Sequence, residues 1–177
     1  MLGSLTLLLA LPLALATEPT NCTQLVPVTF DNATVPRLLG HWVYIAGVSR
    51  YRPHVEELKV LRYAVFTFSP SSHEDELNVT EIMRLNETCV TRNTSKIQIF
   101  WHNSTLAHVE GQASSTAKLM QSNTDLLILK HLNDNVPTLS ISARTANLTK
   151  EQTEEFKAHL HCLGFTEEDV ISTSEEV

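Results

Sequence analysis

The run Leu38-Leu39-Gly40-His41-Trp42-Val43-Tyr44-Ile45-Ala46-Gly47-Val48-Ser49-Arg50 decides how the rest of the chain is read. It opens on a Gly-x-Trp triplet, Gly40-His41-Trp42, and continues as a strand-like series over 43–48. Trp42 is large and apolar and carries one N–H that needs a partner when buried. Gly40 frees the backbone just before it. A tight entry, one plug residue and a strand suit the sealed end of a closed sheet.

Downstream the chain breaks into short β-rich segments: 60–69, 76–85, 88–101, 105–112, 116–121, 125–132 and 138–144. Residues 60–69 (VLRYAVFTFS) are rich in Val, Tyr, Phe and Thr, which favour strands. Pro70-Ser71-Ser72, Asn103-Ser104, Ser122-Asn123 and Asp134-Asn135-Val136-Pro137 punctuate the series. With 43–48 this makes eight evenly spaced strands, the pattern of an up-and-down barrel or a sandwich. The expected fold is mainly β, with the meander of consecutive hairpins favoured. No helical segment is read between the strands, so a βα repeat is not expected. Val35-Pro36-Arg37-Leu38-Leu39 reads as a short helical turn.

One convincing helix follows the strands, over 150–162 (KEQTEEFKAHLHC). Thr149 is its N-cap and Gln152 completes a capping box. Phe156, Leu160 and Leu163 recur at i, i+4 and i+7, an apolar stripe that must lie on the outside of the sheet. Gly164 stands at the C-terminal stop. Residues 169–173 allow one more short strand, and 174–177 form an acidic tail.

Residues 1–16 (MLGSLTLLLALPLALA) read as a secretory signal ending in small residues, too short to span a bilayer. An extended segment is expected over 17–34 and the folded unit over 35–173. No later run is long and apolar enough for a membrane span. The net charge is −7, with no basic cluster. That argues against nucleic-acid and polybasic membrane binding. Asn21, Asn32, Asn78, Asn86, Asn93, Asn103 and Asn147 each begin an Asn-x-Ser/Thr sequon. That density predicts a secreted, extracellular glycoprotein. The three cysteines, Cys22, Cys89 and Cys162, allow one disulfide in three pairings.

Gly40-His41-Trp42, the eight-strand meander and Ala143-Arg144-Thr145 leading into a helix resemble the lipocalins. In that family a basic residue at the end of the last barrel strand packs over the Gly-x-Trp indole, which puts Arg144 over Trp42. Within it the chain looks most like the α1-acid glycoprotein (orosomucoid) branch, with toxin-binding fish relatives and apolipoprotein M as a more distant cousin. Leu25-Val26-Pro27-Val28, Phe66-Thr67-Phe68-Ser69-Pro70, Leu139-Ser140-Ile141 and Cys162-Leu163 carry that likeness. The resemblance implies a monomeric plasma carrier of small hydrophobic or amphipathic molecules (lipids, steroids, drugs or toxins), with an acute-phase or immunomodulatory role and no cofactor. It implies a Cys22–Cys162 disulfide and leaves Cys89 without a mate. The family's Thr-Asp-Tyr-type turn is not clear at Asn133-Asp134. A basic residue and a tyrosine that line the relative's cavity correspond to His108 and Ser142, so ligand preference does not carry over.

Alternation anchored on Phe66 and Phe68 gives an expected lining of Ala64, Phe66, Phe68, Leu106, His108, Ile128, Lys130, Ser140 and Ser142. Any one of these is equally at home as ordinary core. Gly40, Trp42 and Arg144 are assigned to structure. His159 and His161 point to opposite helix faces and cannot share a metal; no metal site is expected. No enzyme is expected, since no hydrolase, metalloprotease or phosphate-loop motif occurs. Two other readings stay open: a glycoprotein acting through its sugars and surface, and a lipocalin-type isomerase with Cys89 as nucleophile.

Overall fold

The computed structural model describes Cys22, residues 25–132 and residues 135–173. The expected signal segment, Asn21, the Asn133-Asp134 turn and the acidic tail lie outside the described residues. Eight antiparallel strands form a barrel: β1 (Gly40–Ser49), β2 (Leu61–Pro70), β3 (Glu76–Leu85), β4 (Thr88–Phe100), β5 (Thr105–Glu110), β6 (Ala113–Leu119), β7 (Leu126–His131) and β8 (Thr138–Ala143). Each pairs with the next, β8 returns to β1, and β1 also pairs with β2, which closes the ring.

A bulge between Tyr44 and Ala46 shapes that closure. Below it, Gly40 to Val43 pair with β2. Above it β1 has turned away, and Ala46 and Gly47 pair instead with β9 (Ile171–Ser172), a strand outside the barrel. Bulges bend a strand in this way and often stand at barrel rims. Among the described residues three α-helices accompany the sheet: α1 (Thr34–Leu38), α2 (Arg52–Val60) and α3 (Lys150–Cys162).

α2 corrects the expectation that no helix interrupts the strands. Its N-cap is Tyr51, which makes no side-chain cap bond, and Leu58 is its one buried residue. With so little apolar periodicity and no side-chain cap, RPHVEELKV signals a helix only through Pro53 in its first turn. α3 forms as expected: Thr149 accepts from the Gln152 N–H at 3.1 Å, and the Gln152 side chain accepts from the Thr149 N–H at 3.0 Å.

Residues opposite one another on antiparallel neighbours share a face, so the register separates two buried clusters. Inside the barrel Trp42, Phe68, Leu77, Val79, Ile97, Ile99, Leu106, Leu119 and Leu127 pack together, joined by Phe30 and Leu38. Outside, Val48, Leu126, Ile128, Leu139 and Ile141 lie against Phe156 and Leu160 of α3. The chain before α1 crosses the closed end, with Val28 N–H donating to Leu119 O at 2.8 Å and Gln121 N–H to Val26 O at 2.8 Å. A disulfide between Cys22 and Cys162 fastens that segment to the end of α3.

Candidate functional site

The closed end is built on Trp42. Gly40 has φ +97°, a left-handed conformation that a side chain would strain. Trp42 Nε1 donates to Leu38 O at 2.9 Å, satisfying the indole in its buried position. The Arg144 guanidinium lies 3.6 Å from the indole ring centre and donates to His41 O at 2.8 Å and Arg37 O at 2.9 Å. One cation thus ties the start of β1, the end of α1 and the end of β8 over the plug residue.

Above this floor the inner wall changes character. Register carries the inner face from Trp42 to Phe66, Glu81 and Arg92 across β1 to β4. From Ile97 it passes to His108 and Ser115, and from Leu106 to Ala117 and His131. Leu129 opposite Ser140, and Leu127 opposite Ser142 and so Tyr44, complete the circle. Low on the wall the side chains are aliphatic and aromatic, with Phe66 and Phe68 5.1 Å apart between ring centres. Higher up stand four ionisable groups. Arg92 Nη1 meets Glu110 Oε2 at 3.2 Å, and His108 Nε2 lies 3.5 Å from Glu81 Oε1.

Several inward polar atoms are sealed from solvent and unbonded: Tyr44 Oη, Glu81 Oε2, Ser95 Oγ and His108 Nε2. Burial pushes the Tyr44 phenol up from its ordinary value. Its hydroxyl lies over Gly47, where an added Cβ would collide with it and with Leu58 of α2. Glycine at 47 therefore lets the Tyr44 ring lie along the wall. At the rim the His54 ring of α2 stands 6.0 Å from that of His131. His131 Nε2 is 3.0 Å from Ser140 Oγ, and burial, with His54 nearby, pushes the imidazole down to about 4.

Of the residues expected to line the interior, Ala64, Phe66, Phe68, Leu106, His108, Ser140 and Ser142 share the inner face. Ile128 and Lys130 do not. Ile128 is opposite Ile141 and packs under α3, and Lys130 is opposite Leu139 on the outer side. The run Leu126-Leu127-Ile128-Leu129 is apolar on both faces because α3 covers its outside, so alternation alone gives no phase. Leu127, Leu129 and His131 take the inner positions. Glu81, Arg92 and Glu110 were missed because charged side chains in a strand read as solvent-facing. The apolar alternation Leu77-Val79 before Glu81 carried the correct phase.

Cys89 is free and exposed, beside Arg84 in register on the outer face of the β3–β4 hairpin. It is therefore not a cavity nucleophile. Asn32, Asn78, Asn86, Asn93, Asn103 and Asn147 are all exposed. Among the described residues no group of three or more His, Cys, Asp or Glu could hold a metal ion, and no helix is long and apolar enough to cross a membrane.

Comparison with known proteins agrees with this geometry. Residues 7–177 match the model of the ApoM domain. Bovine α1-acid glycoprotein is 31% identical over 180 aligned positions, covering 99% of this chain and 88% of the relative. The rabbit α1-acid glycoprotein is 28% identical over 96% of this chain and 85% of its own length. Among solved structures, the siderocalin Ex-FABP superposes with a TM-score of 0.64 at 14% identity, over 80% of this chain and 96% of that one. Siderocalin Q83 gives 0.62 at 17% identity, over 81% and 96%. At such identities the siderocalins speak for the barrel alone; the family match covers nearly the whole sequence. The chain belongs to the ApoM domain family and has the lipocalin fold.

Proposed function

We propose that this chain is a secreted glycoprotein that takes small hydrophobic or amphipathic molecules into its barrel and carries them reversibly. The observation behind this reading is the set of inward polar atoms without hydrogen-bond partners, on Tyr44, Glu81, Ser95 and His108. A barrel packed solid would leave such groups uncompensated at a cost of about 1–3 kcal/mol each. A lumen that admits water or the polar end of a guest does not. The apolar lower wall around Phe66, Phe68 and Ile97 suits the guest's other end. A guest burying about 400 Å² of apolar surface gains about 10 kcal/mol. Association costs of at least about 4 kcal/mol leave a Kd of tens of micromolar, before polar contacts tighten it.

Secretion is supported by the N-terminal apolar run, the sequons on exposed asparagines and the Cys22–Cys162 disulfide. An acute-phase or immunomodulatory role is the part of the reading that leans on the α1-acid glycoprotein likeness alone. Action through surface and glycans is the competing reading. Titration with a hydrophobic fluorescent probe separates the two. Saturable quenching of the tryptophans, Trp42 and Trp101, with displacement of the probe by lipids is expected. A linear, unsaturable response would leave only the surface reading.

A further inference from the structure

We infer that His108 and Glu81 form an acid-operated latch on the ligand's polar end. This rests on the carrier reading above and names a chemical requirement and a control for the same site. The two side chains come from β5 and β3 and meet across β4 on the inner wall. His108 Nε2 and Glu81 Oε1 are 3.5 Å apart, close enough for attraction but too far and too poorly aligned for a hydrogen bond. Both Nε2 and the other carboxylate oxygen, Oε2, are shut from solvent without a partner.

The charged neighbours make the pair responsive. Arg92, on the intervening β4, is held by Glu110 at 3.2 Å, so its charge is already engaged. Glu110 is on the same strand as His108 and is occupied in turn. Ser115, opposite His108 on β6, is uncharged. Tyr44 offers a hydroxyl, and His131 stands further round on β7. Among these described groups Glu81 is the carboxylate left without a cationic partner while the imidazole is neutral.

The consequence is a competition. With His108 neutral, the Glu81 carboxylate is open to a guest's N–H or O–H group, so the preferred ligand is an amphiphile whose polar end donates a hydrogen bond. Histidine is the side chain whose charge responds to mild acidification. Once charged, Nε2 needs to approach Glu81 by only about 0.7 Å to make a charge-assisted bond of ordinary length. That bond sets a positive charge against the carboxylate, which weakens Glu81 as an acceptor for the guest's donor even at Oε2, and the guest is held less tightly. The proton moves from solvent to Nδ1 or Nε2 of His108, and no covalent bond is made or broken.

The test uses the full chain and N-phenyl-1-naphthylamine, an uncharged probe with one N–H, titrated at pH 7.4 and pH 5.0. The latch predicts a Kd about tenfold higher at pH 5.0, the loss of one hydrogen bond to a charged acceptor. In His108→Gln the ratio falls to within twofold. Calorimetry at pH 6.0 in two buffers of different ionisation enthalpy should count a fraction of a proton released per probe bound, and this uses the unaltered protein. Equal affinity at both pH values, no proton release, or a ratio that vanishes in His131→Leu but persists in His108→Gln would each overturn the latch while leaving the carrier reading standing. Failure of the probe to saturate at either pH would overturn both.

Discussion

Replacing Arg144 by alanine tests the closed end most severely. The guanidinium makes two charge-assisted hydrogen bonds, to His41 O and Arg37 O, and covers the Trp42 ring. Each such bond contributes about 1.5–3 kcal/mol, and the cation–π contact about 0.5–2 kcal/mol. The Arg144 side chain keeps 31% of its exposure, so water replaces part of what is lost and the sum is discounted. The net expectation is a loss of about 3 kcal/mol, or about 6–12 °C in Tm for a chain of this size. Arg144→Lys should recover no more than half, because an ammonium cannot span both carbonyls while lying flat on the ring. Asp125→Ala should cost under about 0.5 kcal/mol, since that ion pair is long and exposed. Urea unfolding followed by tryptophan emission measures all three. A loss below about 1 kcal/mol for Arg144→Ala, with the Trp42 emission unmoved, would refute the assignment of Arg144 as the fastening of the barrel floor.

Acid should weaken the fold in a defined window. Burial holds His131 down to about 4, with His54 adding to it, and holds His159 down despite the opposing pull of Glu155. The unfolded chain takes up these protons near pH 6.5, so stability is whole above that pH and falls as pH drops toward 4. His159→Leu should flatten the fall in urea midpoint between pH 7.5 and 5.0; an unchanged slope counts against His159. Gly47→Ala sets a methyl against the Tyr44 hydroxyl and 3.1 Å from Leu58 Cδ1. It should weaken probe binding at least severalfold by driving Tyr44 into the lumen, and unaltered binding would place the ring elsewhere. Cys22→Ser removes a link closing a separation of 140 residues and should cost about 2–5 kcal/mol in thermal or urea unfolding.

The sequence made the barrel legible because its two fold signals are local. Gly40-Trp42 needs one backbone conformation and one plug, and α3 announces itself through Thr149, Gln152 and an apolar stripe. Phase was legible only where one face of a strand is wet. Residues 64–68 are anchored by two phenylalanines, and 97–99 alternate cleanly. β7 is covered on both sides, so Ile128 and Leu129 looked interchangeable, and the reading slipped by one residue. The bulge at Tyr44 and Ala46 flips the parity of β1 partway along and carries no sequence mark. α2 escaped because Leu58 is its one buried residue, so it shows no apolar stripe. The interior charges escaped for a more general reason. Alternation assigns a charged residue to solvent, and a lumen with a polar upper wall reverses that assignment.

The measurement closest to the central claim is isotope-edited NMR of the protein bound to a hydrophobic probe. The account predicts contacts from the probe to the rings of Phe66 and Phe68 and to the methyls of Ile97 and Leu106, in a one-to-one complex. Contacts confined to outer residues such as Ile82 or Leu132, or none at all, would contradict it.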